Sequence, residues 1–438
     1  MSKPTPEQLI VSQLGPRTVR SPLPLSNTWG DDFGNFIPDE ARMLYQPTGM
    51  PGWPVDPHLS LERAGPRESI FFDPAKARAA IVTCGGLCPG LNNVIRSVFL
   101  QLHDNYGVRD VFGIRNGYQG LNPAVGKPPI RLDLEFVDTI HKLGGTVLGT
   151  SRGEQDAAVV VDFLQRDRID MLFCVGGDGT QRGAHAIARE AARRGYAIAV
   201  VGIPKTIDND INYVWRSFGY ITALDRAREV LHGAHAEARG VQNGISLVKL
   251  MGRDAGFIAA GAAAASQEVD FTLIPEVPFK LEGENGFLPR LKRRILAREH
   301  AVIVVAEGAG QDLMPDEPVQ RDASGNLKPR DIGMFLRSRV AEYFAAERIP
   351  AQVRYFDPSY IIRSAPADTG DSLLCDQMAR HAVHAAMAGK TDMLIGFWYN
   401  VFVHVPIPLV TAGKRCVDPE GELWMAVLSA TGQPARFE

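Results

Sequence analysis

Two polar segments carry the residue types that phosphoryl transfer requires, and each follows an apolar stretch of the chain. The first is Gly176-Gly177-Asp178-Gly179-Thr180, and the second, about 25 residues further on, is Pro204-Lys205-Thr206-Ile207-Asp208-Asn209-Asp210. Together they supply a glycine-rich turn, three carboxylates and one lysine. Transfer of a phosphoryl group needs a cradle for phosphates, an anchor for a metal ion and a base. The two segments in this order predict a kinase that acts on a sugar phosphate.

The acidic residues of these segments have a functional and an ordinary interpretation. Asp178, flanked by glycines, has the setting of a Mg²⁺ ligand whose neighbouring backbone amides hold phosphates, and a purely structural turn would not need its carboxylate. Asp208 and Asp210 alternate along a segment that we expect to be extended, so their side chains would share one face near Asp178. The alternative for this pair is a solvated acidic loop.

Three further glycine-containing turns have the composition of anion sites. The turn at Thr83–Asn93 joins an apolar run to a helical pattern, and its glycines would let phosphate oxygens approach a helix N-terminus. A tight structural turn explains it equally well. The turns Gly149–Gly153 and Met251–Gly256 each contain one arginine, Arg152 and Arg253. The planar guanidinium suits phosphate or carboxylate recognition, although a single arginine is more often a surface residue.

Two other patterns are interpreted as structural. Gly389-Lys390-Thr391 resembles the end of a P-loop, but it ends a helical pattern, and His384 stands where the first glycine is required. His381 and His384 share a helix face without a third ligand, and the Cys84/Cys88 pair has no second pair, so neither predicts a zinc site.

The composition argues against a nucleic-acid-binding or membrane protein. The chain has 438 residues, a formal net charge of −3 and 22% charged residues, whereas a nucleic-acid surface needs a basic excess. The most apolar tract, Ala255–Ala265, is shorter than the roughly 20 residues of a membrane span, and the N-terminus has no apolar signal core. An odd number of cysteines, five, indicates reduced thiols. We expect a cytoplasmic protein whose partners are small anions.

Periodicity predicts an α/β fold with mainly parallel sheets after an irregular N-terminal extension. Residues 1–75 are rich in proline, whereas from Ala79 short β-branched runs alternate with helical stretches, as in βαβ units. Strands are predicted at Ala80–Thr83, Val111–Ile114, Met171–Val175, Ala197–Ile203, Ser246–Leu250, Phe271–Ile274, Val302–Ala306 and Met393–Phe397. Helices are predicted after Gly90 and Gly179, around Phe218–His235, from Asp254, Glu282 and Asp331, and over Asp368–Ala388.

These motifs, in this order, resemble the phosphofructokinase family over roughly residues 64–390. The matching residues are Gly85-Gly86, the two segments 176–180 and 204–210, Met251-Gly252-Arg253, Pro275-Glu276-Val277-Pro278-Phe279 and Ala306-Glu307-Gly308. Glu62–Arg67, followed by residues 79–93, is similar to the longer plant and trypanosomatid branch. The resemblance implies two Rossmann-like lobes. We expect residues 76–204 to form the phosphate-donor lobe, with part of 391–438 packed on it, and residues 205–390 to form the acceptor lobe.

The resemblance also implies an activity and a role for each site residue. The activity is Mg²⁺-dependent transfer of a phosphoryl group from ATP to the C1 hydroxyl of fructose 6-phosphate, with Asp208 as the base. Asp178 would hold Mg²⁺ with support from Asp210, and Lys205, Thr206 and Arg253 would face the transferring group. The implied donor-binding residues are Gly85, Gly86, Arg152, Gly177, Asp178, Gly179, Thr180 and Gly183. The implied fructose 6-phosphate residues are Thr206, Asp208, Met251, Gly252, Arg253, Glu307, Arg354, Tyr360 and Arg363.

Two positions decide the expected donor. In the family, pyrophosphate-dependent members generally have aspartate where this chain has Gly179 and lysine where it has Lys205, whereas many ATP-dependent members have glycine at both. A carboxylate at position 179 would occupy the space that the α-phosphate of ATP needs and would repel its negative charge. A lysine at position 205 suits either donor. We therefore expect ATP as the donor, with pyrophosphate as the alternative.

Other features leave alternatives open. Gly244 stands where compact bacterial members supply an arginine from the neighbouring subunit, and Tyr360 stands where they have histidine. The resemblance implies a sugar site completed across subunits, and hence a homodimer or homotetramer. A kinase of another substrate, such as NAD, a non-catalytic regulatory homologue and a nicotinamide oxidoreductase are alternative functions; the last lacks its glycine fingerprint.

Overall fold

The computed structural model describes residues 3–49, 51–52, 54–315 and 329–438. The strands of these residues are β1 (Ser12–Gln13), β2 (Val19–Arg20), β3 (Arg42–Leu44), β4 (Ser60–Arg63), β5 (Ser69–Ile70), β6 (Arg78–Thr83), β7 (Asp110–Ile114), β8 (Ile130–Arg131), β9 (Met171–Gly176), β10 (Ala199–Pro204), β11 (Gly244–Leu250), β12 (Phe271–Leu273), β13 (His300–Ala306), β14 (Gln352–Phe356), β15 (Lys390–Thr391), β16 (Met393–Trp398) and β17 (Val401–Pro406).

The α-helices are α1 (Leu91–Leu100), α2 (Leu134–Val137), α3 (Ala157–Arg166), α4 (Asp178–Arg193), α5 (Tyr220–Arg239), α6 (Phe257–Ser266), α7 (Phe287–Arg298), α8 (Ile332–Ala346), α9 (Ser359–Arg363), α10 (Thr369–Met387), α11 (Ile407–Thr411) and α12 (Glu422–Thr431). A π-helical turn, Gln101–Tyr106, continues α1, and short 3-10 turns lie at Glu7–Leu9, Gly117–Leu121, Ile140–Lys142 and Gln311–Leu313. Among the described residues, no helix combines the length and hydropathy that crossing a bilayer requires.

The chain divides into two compact units. The first comprises Met1–Thr206, Ile211–Gly219 and Ser364–Lys414, and the second comprises Ile207–Asp210, Tyr220–Arg363 and Arg415–Glu438. The expected acceptor lobe, residues 205–390, differs from the second unit in two respects, because residues 205–206 with 211–219, and residues 364–390, belong to the first unit. Residues 364–390, expected in the acceptor lobe, belong to the first unit because α10 packs on α1 and β10. Of residues 391–438, part of which was expected on the donor lobe, 391–414 belong to the first unit and 415–438 to the second, where Phe437 packs in the core.

The sheet of the first unit has nine strands in the order β3-β4-β17-β16-β10-β9-β6-β7-β8. Its central strands, from β16 to β7, are parallel, and every residue of β9 and β10 is buried. Strands covered on both faces need such continuous apolar runs. The N-terminal extension, expected to be irregular, contributes β3 and β4 to this sheet by antiparallel pairing. These strands were not predicted because they are short and the surrounding prolines hide their pattern.

The sheet of the second unit has four parallel strands in the order β12-β13-β11-β14. All eight predicted strands are present in the two sheets, and the prediction of an α/β fold with mainly parallel sheets is confirmed. Strands β14 and β17 and helices α3 and α12 were not predicted. In a parallel sheet the turns after the strands meet at one edge, which is where ligands bind.

A buried ionic cluster holds the N-terminal extension to the sheet of the first unit. The carboxylate of Glu62 in β4 accepts hydrogen bonds from Arg67 Nη2 and Lys390 Nζ, each at 2.9 Å, and lies 3.0 Å from His404 Nδ1. All four side chains are almost fully buried. Burial disfavours the charged form of Glu62, but hydrogen bonds and positive charge from His404 and Lys390 hold its pKa well below the ordinary range. Lys390, in the sequence that resembles a P-loop, is therefore a structural ion-pair residue.

We expect Glu62→Gln to lower the free energy of unfolding of the first unit by about 3–5 kcal/mol, because Lys390 would be left buried without a counter-charge and Arg67 would keep only its ion pair with Asp39. Urea denaturation followed by fluorescence measures this. The matched control is Glu347→Gln, which removes a solvent-screened ion pair with Lys292 and should change the free energy of unfolding far less. Similar losses in the two variants would contradict a buried cluster.

The same variants give a pH dependence with a defined sign. Because the pKa of Glu62 is lower in the folded protein than in the unfolded chain, its stabilisation is present above about pH 4.3 and is lost on acidification. The stability difference between the wild type and Glu62→Gln should therefore narrow as the pH falls below that value.

Candidate active site

The donor half of the candidate site is a set of interlocked turns in the first unit. The turn after β6 is tied to the loop at 149–153, since Gly85 N donates to Ser151 O at 3.1 Å and Thr150 Oγ1 donates to Gly85 O at 2.7 Å. The hydroxyl of Thr83 also donates to Gly149 O at 2.9 Å. The structure thus brings together two of the glycine turns that sequence analysis identified separately.

Two cations lie against this glycine turn. Lys205 is buried, and its ammonium donates to Gly86 O at 2.7 Å. Arg152 Nη2 would lie 3.7 Å from a Cβ atom on Gly86, and Lys205 Nζ would lie 3.2 Å from one on Gly85, whose φ of +84° also favours glycine. Glycine at both positions therefore leaves the backbone open to phosphate oxygens between two positive charges.

The turn after β9 opens α4. Gly177 is the N-cap residue and Asp178 is the first helical residue, so Asp178 lies at the positive end of the helix dipole. Its carboxylate is partly exposed and forms an ion pair with Arg182, one turn later. A Cβ atom on Gly179 would meet only Arg182 Nη2, at 3.9 Å, so the space next to this residue is open.

Two residues predicted to bind the donor have clear packing contacts. Thr180 is buried with its side chain against Gly176, and its carbonyl accepts a hydrogen bond of 2.7 Å from Tyr118. Gly183 lies under the ring of the same tyrosine, which leaves no room there for a side chain. Sequence analysis missed Gln181, which is fully buried and donates to Gly176 O at 2.9 Å. This contact anchors the start of α4 to the end of β9.

The chain passes from the first unit to the second within the segment 204–210. Thr206 is the last residue of the first of the three segments that form the first unit. Its carbonyl accepts a hydrogen bond of 2.6 Å from Ser217 Oγ. Asp208 and Asp210 belong to the second unit and are partly buried. The expectation that they alternate along an extended segment is wrong, because β10 ends at Pro204 and Asn209 has a φ of +57°. Asparagine tolerates this left-handed conformation, and the strand argument for a shared face does not apply.

The acceptor half of the candidate site surrounds Glu307 in the second unit. Glu307 follows β13, and its amide donates to Leu250 O at 2.9 Å, next to the turn that carries Arg253. Gly252 has a φ of +132°, and Gly308 lies so close to the Arg253 carbonyl that no side chain fits. Burial raises the pKa of Glu307, and the positive charges of Arg253, Lys249 and Arg363 oppose this rise. Three cations and a second carboxylate, Asp357, therefore act electrostatically on Glu307.

The remaining predicted sugar-site residues have separate partners. Arg354 lies in β14, where Nη1 donates to Glu237 O at 2.7 Å and pairs with the Glu237 carboxylate at 2.9 Å. Arg354 lines an open surface cleft of about 490 Å³, which Arg337 also lines. Tyr360 and Arg363 lie in α9, with the guanidinium 4.5 Å from the ring centroid. Gly244 packs against the carbonyl of residue 238, so an arginine does not fit at that position without a backbone shift.

Lys249 adjoins this candidate site and was not among the residues predicted from the sequence. Its ammonium lies 3.0 Å from Asp357 Oδ2 and 3.2 Å from Asp331 Oδ1, and its side chain is 13% exposed. Burial disfavours its charge, but hydrogen bonds to Asp357 and Tyr355 raise its pKa above the usual value. Asp357 also accepts the amide of Ser359, the first residue of α9. The signal in the sequence was a lysine within an otherwise apolar strand that precedes the turn of Met251.

The donor set fits Mg²⁺ bound together with a substrate better than a metal held by protein alone. Within the described ranges, no group of three His, Cys, Asp or Glu side chains is arranged to hold a metal ion. Mg²⁺ commonly takes one or two carboxylates and completes its shell with water and phosphate oxygens. The partly exposed carboxylate of Asp178, at a helix N-terminus beside the phosphate-sized turns, matches this pattern.

The histidine pair of α10 has core contacts. His384 is buried with Nδ1 at 2.7 Å from Tyr106 Oη, and the ring of His381 stacks on Phe402 at a centroid distance of 4.5 Å. Cys88 Sγ donates to Phe218 O at 3.3 Å. These contacts agree with the structural interpretation of both patterns.

Comparison with known proteins identifies the family. The phosphofructokinase family profile matches residues 78–386. The chain is 52% identical over 380 residues to an ATP-dependent 6-phosphofructokinase of Borreliella burgdorferi, covering 85% of each protein. It is 42% identical over 439 residues to an ATP-dependent 6-phosphofructokinase of Trypanosoma cruzi, covering 98% of this chain and 89% of that protein.

A solved structure supports the fold. A pyrophosphate-dependent phosphofructokinase of Marinobacter aquaeolei aligns with a TM-score of 0.67 at 20% identity, over 81% of this chain and 91% of that chain. The predicted resemblance, including the trypanosomatid likeness, is confirmed. The chain belongs to the phosphofructokinase family.

Proposed function

We propose that the protein is an ATP-dependent 6-phosphofructokinase, which transfers the γ-phosphoryl group of ATP to the C1 hydroxyl of fructose 6-phosphate, a step of glycolysis. The products are ADP and fructose 1,6-bisphosphate. The observation that carries this proposal is the position of Lys205 against the Gly85-Gly86 turn, three residues before Asp208 in the chain. The relatives described above have the same named activity and support it.

On the donor side, the open glycine turn accepts phosphate oxygens between the Lys205 ammonium and the Arg152 guanidinium. Backbone amides at the start of α4 add partial positive charge. Asp178 would hold Mg²⁺, with Asp210 in support, and the bound ion would neutralise charge on the transferring phosphates. The Asp178–Arg182 ion pair would have to open for this, since one carboxylate serves both partners.

On the acceptor side, Asp208 takes the proton of the C1 hydroxyl as the bond to phosphorus forms. Arg253 and Lys205 then stabilise the negative charge that spreads over the transferring group. Thr206 faces the same group. These roles divide the reaction between a cation-lined donor cradle and a base, and neither part transfers a phosphoryl group alone.

The sugar phosphate is held by residues of the second unit. Glu307 accepts hydrogen bonds from sugar hydroxyls, with Met251 and Gly252 beside it, and Arg363 binds the 6-phosphate. Arg354 also binds the 6-phosphate and Tyr360 lies beside it, in a site that is completed across the subunits of a homodimer or homotetramer. Since no side chain fits at Gly244, the subunit boundary must supply its positive charge from other residues. We place this activity in the cytoplasm.

The open space at Gly179 favours ATP over pyrophosphate as donor. A Cβ atom there meets no protein atom closer than 3.9 Å, so a side chain would start into space that a nucleotide can use. Lys205 is compatible with either donor because it binds the backbone of the cradle as well as phosphate.

A substrate panel tests the proposal and separates it from the alternatives. The purified full chain is assayed with Mg²⁺ and each pairing of ATP or pyrophosphate with fructose 6-phosphate or NAD. We expect turnover with ATP and fructose 6-phosphate. Turnover only with pyrophosphate as donor would indicate a pyrophosphate-dependent enzyme, and turnover only with NAD as acceptor would indicate an NAD kinase. Binding of the sugar phosphate without turnover would indicate a regulatory homologue.

We predict that Asp208→Asn lowers kcat by about 10²–10⁴-fold and leaves fructose 6-phosphate binding nearly unchanged, because only the proton acceptor is lost. Steady-state kinetics and calorimetric titration with fructose 6-phosphate measure the two effects. Asp225→Asn is the matched control, since this exposed aspartate pairs with Arg228 on α5. An unchanged kcat in Asp208→Asn would show that Asp208 is not the base that accepts the proton of the C1 hydroxyl.

We predict that Gly179→Asp raises the KM for ATP by at least about 10-fold, because the new carboxylate repels and displaces the nucleotide phosphates. Any residual activity with pyrophosphate should fall much less. Gly233→Asp places the same side chain at another open helical glycine and should leave both donors unaffected. Equal losses with both donors would contradict the steric argument.

We predict that Lys249→Met raises the KM for fructose 6-phosphate about 10-fold or more, with little change in the KM for ATP, because the loop before α9 loses its ion pair with Asp357. Lys292→Met removes a lysine–carboxylate pair on α7 and is the control. The double variant with Asp357→Asn should lose less than the sum of the two single losses, because both substitutions remove the same ion pair. Fully additive losses, or equal effects on both substrates, would contradict this positioning role.

A further inference from the structure

We propose that Glu276 and the segment Arg415–Val417 form a clamp that positions the catalytic groups Asp210 and Arg253. We call these residues the C-terminal clamp. The inference rests on the proposed function and adds positioning residues that lie outside the roles derived above. All of its contacts lie within the second unit.

The carboxylate of Glu276 is the centre of the clamp. It accepts the amide of Gly256 through both oxygens, at 2.9 and 3.1 Å, and the amide of Val417 through Oε1, at 2.7 Å. Gly256 is the N-cap residue of α6 and ends the turn that carries Arg253. A carboxylate at a helix N-terminus is stabilised by the free amides and the helix dipole. One side chain therefore joins the Arg253 turn to the C-terminal segment.

Gly256 is closely packed where the Arg253 turn meets α6, and no side chain fits at this position. A Cβ atom there would overlap the side chain of Ile274 and approach Glu276 Oε2 at 3.0 Å. The turn is thus packed between β12, the Glu276 loop and α6. A loss of the Glu276 carboxylate would free the amide end of the turn, and Arg253 lies three residues away.

Arg415 makes the second connection. Its backbone amide donates to Asp210 O at 2.9 Å, and its guanidinium lies 4.6 Å from the ring centroid of Phe257, the first residue of α6. Burial lowers the pKa of Arg415, and the contact with an aromatic face compensates in part for lost hydration of the charge. Arg415 therefore contacts both the segment that carries Asp208 and Asp210 and the helix that follows Arg253.

Cys416 adds a third, weaker contact in the same place. Its thiol donates to the carbonyl of Asp254, at 3.7 Å, directly after Arg253. Three consecutive residues thus bind three points of the catalytic backbone: Asp210, Asp254 and, through Glu276, Gly256. Because Arg415 is the first residue of the second unit after Lys414, this fixation depends on how the C-terminal segment enters that unit.

The catalytic consequence follows from the accuracy that positioning requires. A displacement of a catalytic group by about 1 Å can cost about 10²-fold in rate. Side chains on turns reach such accuracy only when their support is fixed by further contacts. The clamp supplies these contacts to the turns of Asp210 and Arg253, whereas the donor cradle around Lys205 lies in the first unit and does not depend on it.

Glu276→Ala and Arg415→Met in the full chain test the clamp. We expect each to lower kcat by about 10–100-fold with an unchanged KM for ATP. Hydrogen exchange of the peptide 252–257 should accelerate in Glu276→Ala because the Gly256 amide loses its acceptor. Both Arg415 variants keep the backbone contact with Asp210, but Arg415→Lys also keeps a cation that can lie over the Phe257 ring and should retain more activity than Arg415→Met. Glu347→Gln is the control carboxylate in the same unit.

The outcomes separate the clamp from the proposed function. A wild-type protein without activity on fructose 6-phosphate and ATP would contradict the proposed function. An active wild type whose clamp variants keep their kcat would contradict only the clamp, as would unchanged exchange at 252–257. A merely structural role would lower the melting temperature but leave kcat per folded molecule unchanged. If Glu276→Ala does not fold, the two Arg415 variants decide the question by the same criteria.

Discussion

The parallel pairing of β9 with β10 is the constraint on which the donor half of the site depends. Pro204 lies opposite Gly176, and the amide of Lys205 donates to Gly176 O at 3.1 Å. This register places the lysine beside the turn that begins α4 with Asp178. Since both strands are buried over their full length, a shift of register would expose the core as well as separate these residues. The same strand register therefore determines both the stability of the sheet and the geometry of the donor cradle.

Charge distribution explains why glycine recurs at the ends of these strands. The cradle concentrates Lys205, Arg152 and a helix N-terminus in a small region, and this arrangement is favourable only when an anion is near. Glycines remove the side chains that would otherwise separate the cations from the backbone, as the close approach at Gly85 and Gly86 illustrates. In the second unit the positive charge is partly compensated, because Glu307 and Asp357 lie among Lys249, Arg253 and Arg363. A neutral sugar with one charged phosphate suits the second environment, and a polyphosphate suits the first.

The sequence predicted the parts of the structure that depend on local pattern. The apolar runs of β9 to β13 and the glycine turns after them were clear because each is specified by adjacent residues. Other features depend on contacts between distant residues and were missed for that reason. Strand β4 exists through pairing with β17, and β3 exists through pairing with β4, whereas Lys249 joins the candidate site only because Asp331 and Asp357 fold against it. The left-handed Asn209 and the C-terminal clamp likewise have no local signature, and the roles assigned to Asp208 and its neighbours remain predictions.

The central claim is that the Lys205 cradle holds the donor phosphates while Asp208 activates the sugar hydroxyl. A crystal structure of the full chain with ADP, Mg²⁺ and fructose 6-phosphate tests it most directly. The account predicts the β-phosphate of ADP beside Lys205 and Arg152, and a carboxylate oxygen of Asp208 about 2.6–3.2 Å from the C1 oxygen. Nucleotide phosphates bound away from these two cations, or a C1 oxygen beyond the reach of Asp208, would contradict it.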